Sequence, residues 1–319
     1  MALQISQRQL FPPSRPPEAD LANKFANHQL SYRFSSMALK PPVVLTIAGF
    51  DPSGGAGITA DIKTIAAHGC YGVACITALT VQSTSAVRRV QLVDPGLVTE
   101  TLAELASDVE IAAAHVGMLG SSKVVRAVAD FLATHKLPNV VLDPILKSSS
   151  GAELLDAAGA RLLAENLIPL AAVVTPNIDE ASALTGLPVT DPDQMRAAAR
   201  KLHEMGASAV VITGGHLEKA IDLLSFTGGR GIEQELFKSA RLKSNSTHGT
   251  GCAFATAIAC HLAMGRGLPE AVLLAKAYVA AAISNAHPMG RGTGPVHHLY
   301  RMSQQRRAIA VPADPEPVH

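Results

Sequence analysis

The sequence predicts an α/β protein: a mostly parallel central sheet, helices on both faces and a small antiparallel addition at one edge. Three observations carry this. From Pro41 onward, short apolar runs alternate with stretches of helical spacing, the pattern of repeated strand–helix units. Ala, Val, Leu and Gly dominate a chain of 319 residues that is 48% hydrophobic, as expected where parallel strands lie buried under helices. One pair of runs, Asp222–Phe226 and Glu233–Phe237, flanks Thr227-Gly228-Gly229-Arg230-Gly231 and reads as a hairpin.

Taken in order, Val43–Ala48 is the first strand. Gly57–His68 is a helix with Ile58, Ile62 and Ile65 on one face, closed by Gly69. Strands follow at Val73–Thr80, Ala114–Met118, Val140–Asp143, Ala172–Thr175 and Ala209–Thr213. Between them lie helices at Leu97–Ser107, Ser122–His135, Glu153–Asn166, Ile178–Thr185 and Asp193–Met205. After the hairpin come a short extended segment, Ala240–Lys243, and helices at Ala253–Met264 and Pro269–His287. No internal repeat or second domain is visible, so the domain is read as 41–303. Residues 1–40, rich in Pro, Ser and Gln, read as a disordered N-terminal extension, and 304–319 as a flexible tail. The extension is basic and poor in acids, which fits a transit peptide. Met37 stands just before the ordered pattern, which fits an upstream start codon.

Composition excludes several classes. A net charge of +1 leaves no electrostatic footprint for nucleic acid, and 4% aromatics with no Trp leave no base-stacking surface. No apolar run reaches the length of a membrane span, so a cytoplasmic protein is expected. Cys70, Cys75, Cys252 and Cys260 fit no zinc spacing and no disulfide frame.

The chemistry concentrates around Asn245-Ser246-Thr247-His248-Gly249-Thr250-Gly251-Cys252. Glycines just before a buried, alanine-rich helix leave its first backbone N–H groups unhindered, and such an end binds phosphate. Cys252 falls in the first turn, where the helix dipole lowers a thiol pKa from about 8.5 toward neutrality. The competing reading is a glycine turn with a structural cysteine.

Beyond the carboxyl ends of the strands, where ligands of open α/β sheets gather, further polar residues stand out. Gly55-x-Gly57-x-x-Ala60 matches a dinucleotide fingerprint, so an NAD-dependent oxidoreductase must be weighed. The glycines begin well past the strand, however, and the second strand ends without the ribose-binding acid, so a substrate loop fits better. Asp61 lies on or beside the apolar stripe of its helix and needs a partner, either a donor-bearing ligand or a neighbouring loop. Gln82 offers a donor and an acceptor to a heterocycle edge, or is simply a polar turn residue. Asp143-Pro144 ends a strand, as a contact for Mg2+ or as an ordinary turn. Asn177 with Glu180 reads from spacing as a capping box rather than a metal site. His297 and His298 read as a surface turn.

Together these stretches resemble one family. Ile47-Ala48-Gly49-Phe50-Asp51-Pro52-Ser53-Gly54-Gly55-Ala56-Gly57-Ile58 with Ala60-Asp61 is similar to the N-terminal signature of the hydroxymethylpyrimidine/phosphomethylpyrimidine kinases of thiamine biosynthesis. So are Ile76–Leu79 with Gln82, Val116–Leu119, Thr175–Asn177, Gly214-Gly215-His216, Thr247–Cys252 and Gly294–His298. The likeness spans about residues 43–300. It implies a ribokinase-like fold, ATP and Mg2+, and two successive phosphorylations of 4-amino-5-hydroxymethyl-2-methylpyrimidine. It also implies a homodimer. By the same likeness, Gly49, Asp61, Gln82 and Met118 line the pyrimidine pocket, and Asn177 and Glu180 hold the metal. Gly249 and Gly251 form the anion hole, with Thr250, Asp143 and Lys147 beside the phosphates and Cys252 as the catalytic residue. A pyridoxal kinase of the same fold is the closest rival. Three positions depart from the family pattern: Lys147 is offset from the usual phosphate-contacting lysine, Thr213 replaces another, and Thr80 stands at a pocket wall that is apolar elsewhere.

Overall fold

The computed structural model describes residues 40–148, 151–215, 220–229, 231–239, 242 and 244–302. Residues 1–39 of the predicted extension, most of the segment Ala240–Lys243, His216 and the tail from Gln304 lie outside them.

Among the described residues, a single nine-stranded sheet runs through the domain. Its strands are β1 (Val43–Phe50), β2 (Tyr71–Ser83), β3 (Ala86–Leu92), β4 (Ile111–Val116) and β5 (Val140–Leu142). β6 (Val173–Val174), β7 (Ala209–Gly214), β8 (Ala220–Gly228) and β9 (Gly231–Ser239) complete it. The spatial order is β3-β2-β1-β4-β5-β6-β7-β8-β9. The six strands from β2 to β7 pair in parallel, whereas β3, β8 and β9 pair antiparallel. The hairpin at one edge is the predicted one. The antiparallel β3 at the other edge was not predicted, because Arg88 and Arg89 face solvent and break any apolar alternation.

The helices are α1 (Gly57–Ala67), α2 (Pro95–Asp108), α3 (Ser122–His135), α4 (Ala157–Leu162), α5 (Ile178–Thr185), α6 (Pro192–Glu204), α7 (Thr250–Ala263) and α8 (Leu268–Ser284). Of the parallel strands, β1 and β4 to β7 are almost wholly buried and β2 only in part, and two apolar layers cover them. One packs Leu45, Ile47 and Val116 against Val98, Leu102, Val128, Met195 and Leu202 of α2, α3 and α6. The other packs Val44, Val141 and Val211 against α7 and α8. α7 is buried along its length, with Ala253, Ala255, Ala257 and Ala259 at 0% exposure. Such small side chains bring the helix axis close to the sheet. The predicted helix at Glu153–Asn166 starts later, at Ala157, where Asp156 accepts a hydrogen bond from Gly159 N–H at 2.6 Å. It then loosens into a π-helical turn, Leu163–Leu167.

The segment after Gly294 is not a surface turn: His298 is 3% exposed. It joins buried His261 and half-buried His68, each with one buried ring nitrogen lacking a partner among the described residues. Burial depresses all three, His261 and His298 from 6.5 to about 4. A base whose folded pKa lies below its unfolded one stabilises fully above pH 6.5 and loses that contribution as pH falls toward 4. We expect acid unfolding to set in across this window, each of the two histidines being worth at most about 3 kcal/mol. Urea titrations at graded pH check this: His261→Gln/His298→Gln should flatten the profile between pH 6.5 and 4 relative to the parent protein.

Candidate active site

Strand order changes direction at β1, which has β2 on one side and β4 on the other. That is where an open α/β sheet forms its ligand crevice. Gly49 near the end of β1 and Met118 just past β4 meet over it. A Cβ on Gly49 would lie 2.8 Å from Met118 Sδ, so glycine is required for the contact. Thr77 Oγ1 donates to the Met118 carbonyl at 2.5 Å and fixes that loop. At the far end of β2 the ladder to β3 slips between Val81 and Gln82. Such a bulge re-aims the next side chain. Gln82 is half-buried there, with its amide nitrogen 3.4 Å from His248 Nε2.

The glycines of the fingerprint-like loop serve chain-to-chain contact. Gly57 opens α1 against the Gly49 carbonyl, and a Cβ on Gly55 would lie 2.3 Å from the His248 ring. No room is left there for a pyrophosphate turn.

α7 begins at Thr250 instead of the predicted Ala253, which places Cys252 in its first turn as expected. Gly249 is its N-cap, in the left-handed region (φ 80), with no side-chain cap. A Cβ at Gly249 would lie 1.7 Å from the Gly55 carbonyl oxygen, so only glycine fits. Thr250 turns back on the loop, its hydroxyl donating to the Thr247 carbonyl at 2.5 Å. The N–H groups of Gly251 and Cys252 have no protein acceptor among the described residues, and Gly251 is exposed. This is an open anion-binding end.

Three carboxylates from distant segments stand around it. Asp143, just past β5 and 5% exposed, has Oδ2 3.6 Å from the position of a Cβ on Gly251. Burial, with Asp61 nearby, lifts its pKa to about 6 even though His115 works against the rise. Glu180 is lifted to about 8 by burial and by the charge on Asp143. Asp61 is the third, 0% exposed.

For Asp61, of the two readings, the structure supplies partners from within the protein. Thr46 donates to one oxygen at 2.6 Å and Thr256 to the other at 2.9 Å, and His115 Nδ1 lies 3.2 Å away. Beneath the site it supplies negative charge.

Cys252 corrects one expectation. Its thiol is 7% exposed, and its pKa is pushed well above the ordinary value rather than lowered. Burial is the main cause, followed by the charges of Asp61 and Asp143 and, less strongly, Glu180. The Gly57 N–H donated to the sulfur pulls the other way. The helix end that favours a thiolate is outweighed by desolvation and by the acids around it.

Asn177 and Glu180 form the capping box read from their spacing. Asn177 Oδ1 accepts from Asp179 N–H and Glu180 N–H at 2.9 Å, and Glu180 Oε2 accepts from Asn177 N–H at 2.9 Å. Asn177 Oδ1 is therefore committed to the helix. Lys147 is exposed in a stretch bridged to Glu153, and no contact among the described residues joins it to the cradle.

The donor set suits Mg2+. Asp143 and Glu180 are two hard carboxylates, and burial first and the charge on Asp143 second raise Glu180 to about 8. A divalent cation between them would relieve this, with phosphate oxygens completing its shell. No group of three or more His, Cys, Asp or Glu among the described residues could hold a metal alone.

Two residues escaped the sequence reading. Asp51, 3% exposed, accepts from Ser53 N–H at 2.8 Å, Ser53 Oγ at 2.7 Å and Ala56 N–H at 3.0 Å. Its other partner is His248 Nε2 at 2.8 Å. Burial opposes its ionisation, but His248 and Ser53 outweigh burial and hold the carboxyl below its usual value. The signal for Asp51 was local: an aspartate with a hydrogen-bonding serine two residues on is an Asx-turn pattern.

The phosphomethylpyrimidine kinase family profile matches residues 51–297. The chain belongs to that family. It is 45% identical over 258 residues to the thiamine biosynthesis bifunctional protein ThiED of Geobacter sulfurreducens, covering 80% of this chain but only 52% of that longer protein. It is 40% identical to the hydroxymethylpyrimidine/phosphomethylpyrimidine kinase of Haemophilus influenzae, covering 80% of this chain and 96% of the relative. Among solved structures, the ADP complex of Bacillus subtilis pyridoxal kinase superposes with a TM-score of 0.74 at 34% identity, over 82% of this chain and 99% of that one. The fold is thus ribokinase-like, and the chain is a phosphotransferase of the phosphomethylpyrimidine kinase family. The oxidoreductase reading is set aside.

Proposed function

We propose that this protein phosphorylates 4-amino-5-hydroxymethyl-2-methylpyrimidine with ATP, first to the monophosphate and then to the diphosphate, in the cytoplasm. The observation that carries the proposal is the open start of α7, where the amides of Gly251 and Cys252 have no protein acceptor among the described residues and Gly251 lies beside Asp143. In this reading Gly49, Met118 and Gln82 bound the pyrimidine pocket. Gly249 holds the helix start in its open form. Asp143 and Glu180 hold the metal, with Asn177 keeping Glu180 in place through the cap. ATP with Mg2+ supplies the phosphoryl group and partial neutralisation of the carboxylates.

Preorganised amides are worth most where negative charge builds up during transfer. The first acceptor is an alcohol whose proton must leave, and Cys252 Sγ is the acceptor for it. The thiol is protonated in the ligand-free protein, so this step should be faster at higher pH. The second acceptor is a phosphate monoester, already largely dianionic at neutral pH, and needs no base.

The test is ADP release with the pyrimidine alcohol and then with its monophosphate. Turnover of both is expected, and turnover of neither would sink the assignment. The pyridoxal kinase likeness supports a second reading, which a competition between pyridoxal and the pyrimidine decides.

A homodimer is proposed on the outward face of β2, where Leu79 and Val81 are 48% and 49% exposed. Exposed apolar pairs on an edge sheet favour association. Sedimentation should give twice the chain mass for the parent protein and a monomer for Leu79→Glu/Val81→Glu.

A further inference from the structure

Segments distant in sequence meet at the imidazole of His248. Its Nε2 lies 2.8 Å from Asp51 Oδ2. Through its other hydrogen bonds Asp51 organises the loop between β1 and α1, holding Ser53 and Ala56. The same Nε2 lies 3.4 Å from the Gln82 amide at the end of β2. The backbone of His248 is backed by Gly294, whose carbonyl accepts from His248 N–H at 3.0 Å. The residue after His248 is Gly249, the cap of α7. Nothing separates loop from helix there: the Gly55 carbonyl abuts Gly249, and Gly55 abuts the His248 ring.

A ring nitrogen that donates to Asp51 cannot also accept from Gln82. The Asp51–His248 bond therefore makes the 3.4 Å approach of the Gln82 amide nitrogen a packing contact, in which the Gln82 oxygen accepts from Thr80 Oγ1 at 3.2 Å and the imidazole sets where the amide lies beside the pocket. The same bond ties the loop beside that pocket to the amides of Gly251 and Cys252. We infer that Asp51 and His248 form a clasp coupling occupancy of the alcohol pocket to the geometry of the phosphate cradle, with His248 as a positioning residue. This rests on the kinase reading above, since it takes the two ligands to be the pyrimidine alcohol and a nucleotide.

The test measures alcohol affinity by calorimetry with and without Mg2+ and a non-hydrolysable ATP analogue. In the parent protein the nucleotide should tighten alcohol binding at least about fivefold, the low end of ordinary coupling. In His248→Ala the ratio should fall to within about twofold of one, while each ligand alone binds within about threefold of the parent. At saturating nucleotide the KM for the alcohol should rise by the coupling factor that is lost, about fivefold. His248→Gln keeps an N–H near the position of Nε2 and should recover part of the ratio. Adding Asp51→Asn to His248→Ala should lower the ratio no further, because in the coupling the two residues act as one unit. Should His248→Ala fail to fold, the ratio is read on Asp51→Asn alone.

A parent protein that binds both ligands without coupling overturns the clasp alone. So does His248→Ala with the ratio intact, or equal loss in the Gln and Ala variants, which would mark His248 as packing. A parent protein that binds neither ligand overturns the kinase reading, and the clasp with it.

Discussion

Cys252→Ala should cut phosphorylation of the pyrimidine alcohol by about 10²–10⁴-fold, the usual worth of a positioned base, and leave phosphorylation of the monophosphate within about threefold of the parent rate. The asymmetry follows from the acceptors. A primary alcohol holds its proton tightly, whereas a phosphate monoester with a second pKa of about 6 has already lost its own at neutral pH. The surroundings of the sulfur sharpen the expectation. Burial and the charges of Asp61 and Asp143 push the thiol upward, so the alcohol step should climb with pH through the alkaline range and the monophosphate step should not. Rates with each acceptor, measured across pH for both proteins, decide the matter. Equal loss on both acceptors would mean that Cys252 shapes the site without handling a proton.

Gly249→Ala should be the most disruptive single methyl in the domain. The backbone there is left-handed (φ 80), and the new Cβ would lie 1.7 Å from the Gly55 carbonyl oxygen. The conformation alone costs about 1–3 kcal/mol for a non-glycine residue, and the overlap adds to it, because both neighbours are backbone. A loss of about 3 kcal/mol would lower Tm by about 6–12 °C in a domain of this size, and nucleotide binding should fall at least tenfold. Gly251→Ala is the control. Its Cβ would meet only Asp143 Oδ2, at an ordinary 3.6 Å, so the melting temperature should hold while the added methyl narrows the gap that phosphate must enter. Thermal melts and nucleotide titrations of the two variants separate the cases. Comparable melting temperatures for both would contradict the account of the cap.

Much of the fold was legible because its signals are local. The boundaries of α3 and α5 match their reading, since Ser121 caps the one and the Asn177–Glu180 box caps the other. The buried parallel strands announce themselves by composition. β3 was lost because an edge strand with two exposed arginines has no apolar period to detect. At the site, the glycines and the place of Cys252 in the first helical turn were readable from the motif. Its protonation was not, because that depends first on burial and then on Asp61, Asp143 and Glu180, which reach it from three separate elements. Asp61 shows the same limit: its need for partners was clear, but Thr46, Thr256 and His115 are joined to it only by the fold.

One feature of α7 bears on how the enzyme would fail. The helix that presents its amides to phosphate is wedged along its whole length by alanines against sheet and helix alike. A close-packed interior has no slack to absorb an added methylene, and overpacking shifts backbone instead. Bulkier replacements such as Ala255→Val or Ala259→Leu would therefore nudge the catalytic terminus off its mark from positions no substrate ever touches. Inactive variants of this protein should accordingly cluster along a buried rod as well as around the rim of the crevice.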